Sequence, residues 1–77
     1  MEINILAFGQ IADITGINSW KEQDITSTDS LKKKLQDRYP LLRDLNYVIA
    51  VDKTIVQGNT LLQDQVTVAL LPPYSGG

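Results

Sequence analysis

Over residues 3–8 the chain alternates so that Ile3, Ile5 and Ala7 fall on one side of an extended strand and Leu6 and Phe8 on the other. Both sides are apolar, which places this strand in the interior of a sheet. In the next segment, QIADITG, Ile11 and Ile14 lie three apart and Gly16 stands at a C-cap position, predicting one or two helical turns. A second, more polar strand is expected over residues 19–25, with Trp20 filling a core or edge position. The clearest helix is TSTDSLKKKLQDRYP. There Thr28 is the expected N-cap, Asp29 sits in the first turn where the helix dipole favours an anion, and Leu31, Leu35 and Tyr39 recur every four residues as a core stripe. Pro40 ends the helix, because the residue before a proline avoids helical geometry.

Two β-rich runs follow, residues 47–51 and 54–57, parted by Asp52-Lys53 as in a tight hairpin. Gly58, Asn59 and Thr60 form a loop, and Leu61 and Leu62 are expected to plug the core beneath it. Residues 65–71 close the pattern with Val66, Val68 and Leu70 on one face and Ala69 and Leu71 on the other. The order is strand, short helix, strand, long helix and three strands. The simplest two-layer solution is an α+β fold: a mixed sheet of about five strands with one long helix across one face. First and last strands, both apolar on two sides, pair in the middle. That is the β-grasp, or ubiquitin-like, arrangement.

Length and composition then narrow the function. A chain of 77 residues has surface enough for one core only, so residues 1–71 are read as the domain and 72–77 as an extended tail. Cysteine and histidine are both absent. This removes thiol nucleophiles, Ser-His and Cys-His pairs and most zinc sites, so side-chain catalysis by the common routes is excluded. A net charge of −2 argues against a nucleic-acid partner. The basic cluster of Lys32, Lys33, Lys34 and Arg38 reads first as a solvated helix face and second as a docking patch for an acidic partner. No stretch approaches the ~18 apolar residues of a membrane span, and MEINILAFGQ lacks the basic and long apolar regions of a secretion signal, so a cytoplasmic location is expected.

Chemistry is concentrated at the end, LLPPYSGG. Pro72 and Pro73 lack an amide N–H and fix φ, so they end the last ladder and project the chain stiffly. Six residues at up to ~3.3 Å each reach about 20 Å, enough to enter a neighbouring protein's pocket. Gly76 and Gly77 leave the terminal carboxylate without side-chain obstruction. Two glycines at fixed positions arise by chance about once in 200 chains, and adding two prolines lowers this to about one in 80,000. The doublets together therefore carry far more information than GG alone. A carboxylate is a poor electrophile until activated, for instance as an acyl-adenylate made from ATP by another enzyme. Sulfur or a lysine amine then displaces AMP.

The stretches INILAFGQIADITG, TDSLKKKL and AVDKTIV, and above all LLPPYSGG, resemble the small-subunit family of molybdopterin synthase, the sulfur carriers of molybdenum cofactor biosynthesis. Pro72, Pro73, Ser75, Gly76 and Gly77 match the family's PP-x-[ST]-GG ending. The resemblance implies that an ATP-dependent, ubiquitin-activating-like adenylyltransferase adenylates Gly77, and that a sulfurtransferase supplies the sulfur of a Gly77 thiocarboxylate. The tail, residues Pro72, Pro73, Tyr74, Ser75 and Gly76, then enters the large catalytic subunit, where the sulfur passes to cyclic pyranopterin monophosphate. It also implies that Phe8, Ile55 and Leu71 form a partner-binding patch, that two carriers serve each product in a heterotetramer, and that no cofactor is permanently bound. Ala7, Leu70-Leu71 and Tyr74 depart from the family's usual aromatic, phenylalanine and small branched residues. Thiazole-forming sulfur carriers of thiamine synthesis and ubiquitin-like modifiers are the alternatives.

Overall fold

A computed structural model of the chain describes residues 1–72. In order along it lie β1 (Glu2–Ala7), α1 (Gln10–Thr15), β2 (Ser19–Gln23), α2 (Thr28–Arg38), a 3-10 helix (Pro40–Asp44), β3 (Val48–Val51), β4 (Thr54–Val56) and β5 (Thr67–Leu71). The five strands form one sheet in the order β2-β1-β5-β3-β4. The first and last strands pair in parallel near its middle, as their two-sided apolarity requires, and the other pairs are antiparallel. Ile3, Ile5, Ala7, Ile49, Val68 and Leu70 are buried in one cluster with Ile11, Leu31, Leu35 and Leu42. Each large side chain in this layer contributes about 1.5–3 kcal/mol by leaving water. The result is the β-grasp fold.

Three local readings are corrected. The N-cap of α2 is Ser27, not Thr28: Ser27 has extended φ and ψ, its Oγ accepts from the Ser30 amide at 3.3 Å, and the Ser27 amide donates back to Ser30 Oγ at 3.2 Å. Thr28 is unavailable because it is buried and its hydroxyl accepts from the Thr60 amide at 2.9 Å, tying the 58–60 loop to the helix. Leu62 plugs the core as expected, but Leu61 is 80% exposed. Leu61 forms an extended bridge with Ser27, and successive side chains of extended backbone point opposite ways, so only one of the pair can face inward. After Tyr39 the chain does not simply stop; Pro40 begins the 3-10 helix that buries Leu42.

The basic cluster is the third correction. Glu22 of β2 lies on the inner face with its side chain only 4% exposed. Lys34 reaches it at 3.0 Å, Arg38 Nη1 donates to it at 3.0 Å and Trp20 Nε1 donates at 2.6 Å. Half of the expected solvated face therefore clamps α2 to the outer strand β2. Burial pushes the Glu22 carboxyl up, but the Lys34 and Trp20 hydrogen bonds and the charges of Arg38 and Lys34 together outweigh it and hold the group below its ordinary range.

Candidate functional site

The outward face of the sheet is built by the same alternation that fills the core. Strand pairing sets Leu6 opposite Ala69, Ala69 opposite Ala50, and Ala50 opposite Ile55. Two alanines thus form a low floor between the taller Leu6 and Ile55. Phe8, just past β1, and Leu71, at the end of β5, extend these walls. Together they line an open groove of about 550 Å³. Phe8 is 45% and Ile55 60% exposed, so two large apolar side chains face water in one concave surface.

The groove has two unlike ends. At one, the β3–β4 turn places Asp52 and Lys53 with Thr67 on its rim. Both turn residues have left-handed φ, 48° and 70°, which is the geometry of a two-residue hairpin. The Asp52 amide donates to the Thr67 carbonyl at 2.9 Å, fixing that rim against the start of β5. At the other end β5 delivers Leu71 and then Pro72. The Phe8 amide donates to the Leu70 carbonyl at 3.1 Å, which keeps β1 and β5 together to the last residue of the strand. Pro72 lies against Gly9: a Cβ built on Gly9 would stand 3.0 Å from Pro72 Cγ.

The structure therefore brings Phe8, Ile55 and Leu71 onto one surface, with Pro72 leaving at its end. The remaining expected site residues, Pro73, Tyr74, Ser75, Gly76 and Gly77, lie outside the described residues. The floor residues Ala50 and Ala69 and the rim residues Asp52, Lys53 and Thr67 were not among the expected site residues. Their outward side follows from alternation, but their assembly depends on the β5–β3–β4 register, which no local pattern fixes.

A smaller cleft of about 300 Å³ lies between α2 and the β3–β4 hairpin, lined by Lys32, Tyr47 and Gln57 among others. The Tyr47 hydroxyl is buried with no hydrogen-bond partner among the described residues. Burial pushes its phenol up; the Gln36 side chain acts weakly the other way without making a bonded contact. Among the described residues no group of three or more acidic, cysteine or histidine side chains is gathered to hold a metal, and no helix is long and apolar enough to cross a membrane.

These features define a class: a small β-grasp domain whose central strand hands a proline-led C-terminal segment past an apolar groove on the uncovered face of the sheet. Residues 5–77 match the ThiS family, and the chain belongs to it. It is 33% identical over 82 residues to a protein of Mycobacterium tuberculosis named molybdopterin synthase sulfur carrier subunit, with 100% of this chain and 99% of that protein covered. Among solved structures it is similar to a chain in the complex of subunits 1 and 2 of the molybdopterin-converting factor from Helicobacter pylori, at 26% identity and a TM-score of 0.75 with both chains fully covered. SAMP1 from Haloferax volcanii is also fully covered, at a TM-score of 0.80 and 16% identity, which is a likeness of fold alone.

Proposed function

We propose that this chain is the sulfur carrier of a molybdopterin synthase and that its reacting group is the Gly77 carboxylate. The observation that carries this reading is the convergence of Phe8, Ile55 and Leu71 in one exposed groove beside the strand that runs into the PP-x-S-GG segment. A large catalytic subunit covers that groove and receives the tail. Full-length similarity to a protein named as such a carrier supports the same reading.

The chemistry follows from what the chain lacks. With no cysteine or histidine it supplies neither sulfur nor base, so both come from partners. A partner enzyme joins the Gly77 carboxylate to ATP, giving the acyl-adenylate and pyrophosphate. A sulfur nucleophile from a sulfurtransferase displaces AMP and leaves a thiocarboxylate. In the synthase the sulfur moves to cyclic pyranopterin monophosphate, and water restores the carboxylate. ATP is thus consumed on the activating enzyme and no cofactor stays on the carrier. All of these steps belong to the cytoplasm, where ATP is available.

Intact mass of the protein isolated from its native cell tests the proposal. Exchange of one oxygen for sulfur, mapped to Gly77, is expected. Conjugates to lysines without any sulfur-bearing form would instead make the chain a ubiquitin-like modifier. A thiocarboxylate that rescues thiazole formation but not molybdenum enzymes would assign it to thiamine synthesis.

A further inference from the structure

Gly9 occupies the joint between β1 and α1, held from both sides. The Phe8 amide is bonded to Leu70, and the Gly9 carbonyl accepts from the Asp13 amide at 3.2 Å. Its φ of 56° and ψ of −131° lie where residues with a side chain are strained. The turn accounts for that conformation, but not for what rests on it. A methyl at Gly9 would stand 3.0, 3.6 and 3.7 Å from the Cγ, Cβ and Cδ of Pro72, so one whole edge of the ring lies over the bare Cα. A long side chain would swing clear of such a clash. A pyrrolidine ring is closed on its own backbone and moves only if the chain moves.

Resting on the sulfur-carrier reading, we infer that Gly9 is a positioning residue for the reactive tail: its bare Cα is the seat of the Pro72 ring, and this seat sets the heading at which the chain leaves β5. Groove and tail then present a fixed mutual geometry to a partner that must grip one while receiving the other. Fixing that heading in advance lowers the ordering cost of each delivery. The seat acts through Pro72 and touches no reacting atom.

The test is a double-mutant cycle on Gly9→Ala, Pro72→Ala and the double variant, with thermal stability, affinity for the large subunit and single-turnover sulfur transfer measured on each. Independently, NMR of the unmodified wild-type chain should show a nuclear Overhauser effect between Gly9 Hα and Pro72 Hγ. Gly9→Ala is expected to slow transfer about 10- to 100-fold, with affinity changed by much less. Pro72→Ala, which removes the ring without straining Gly9, is expected to slow transfer at unchanged melting temperature, and Gly9→Ala should then add little. If Gly9→Ala does not fold, the Pro72→Ala arm alone decides. Wild-type transfer by Pro72→Ala, or equal losses from Gly9→Ala in both backgrounds, would overturn the inference and leave only a strained turn. A wild-type chain that shows the Overhauser effect but takes up neither AMP nor sulfur sinks the carrier reading and the role of the seat with it. A sulfur-bearing chain without that effect sinks the seat alone.

Discussion

On the inner face of the sheet Ile3, Ile5, Val68 and Leu70 have no solvent exposure beneath α2, whereas on the outer face Leu6, Ala69 and Leu71 are half-buried and Phe8 and Ile55 face water. The two faces come from the same strands and the same alternation, and both are apolar. Only the first is covered by the chain itself. Inner residues are therefore consumed by folding, while the outer ones remain available to a partner. The sharpest contrast lies in two adjacent leucines. Leu70→Ala removes a fully buried side chain and is expected to cost about 2–5 kcal/mol, lowering the melting temperature by roughly 10 °C or more. Leu71→Ala is expected to cost less than about 1 kcal/mol and to act on large-subunit binding instead. Calorimetry and titration on both variants check the split; equal loss of stability would erase the distinction between the faces.

The next test moves across the groove to Ile55, on the edge strand β4. Ile55→Asp adds a charge where 60% of the residue already meets water, so stability should change by no more than about 0.5 kcal/mol. Binding to the large subunit should weaken at least about tenfold, since a charge would be desolvated inside an apolar contact. Isothermal titration at two salt concentrations measures this, and unchanged affinity would remove Ile55 from the interface.

Much of this division was legible beforehand because it rests on short-range periodicity. The placement of Ile3, Ile5 and Ala7 against Leu6 and Phe8 needs only the two-residue repeat of a strand, and the Asp52-Lys53 hairpin needs only its flanking β-branched runs. The choice of cap was harder, since TSTDS offers several hydroxyls and Thr28 is claimed by Thr60 thirty-two residues away. Leu61 and Leu62 are alike in character and were separated only by the bridge to Ser27. The groove's floor, the Gly9–Pro72 contact and the Glu22 cluster depend on pairings between distant segments. Composition records none of these.

Glu22 gives a third test, confined to the inner layer. Its carboxylate sits with Lys34, Arg38 and Trp20, and Glu22→Gln is expected to cost on the order of 1–2 kcal/mol near neutral pH. The folded carboxyl titrates below its ordinary value of 4.5. Its stabilisation is therefore present above that value and lost as pH falls through the lower folded one. Urea unfolding between about pH 7 and pH 3 should show the wild type converging on the variant as acid is added. A constant gap would mean that the charge contributes nothing beyond shape.

Tyr47 makes the smallest prediction and completes the contrast within the covered side. Glu22 is buried with three partners, whereas the Tyr47 hydroxyl is buried with none among the described residues. Leaving a polar group unpaired costs free energy that no contact returns, so Tyr47→Phe is expected to be neutral or to stabilise by up to about 1 kcal/mol. The phenol titrates above its ordinary value of 10.0, which means that the fold favours the neutral form; stability is present below that pH and lost as pH rises toward the folded value. Tyr47→Phe should remove this part of the alkaline loss while leaving the acid limb, set by Glu22, unchanged. Destabilisation by more than about 1 kcal/mol would reveal a hydrogen bond to ordered water in the cleft beside Lys32, and the hydroxyl would then be a paired group like Glu22.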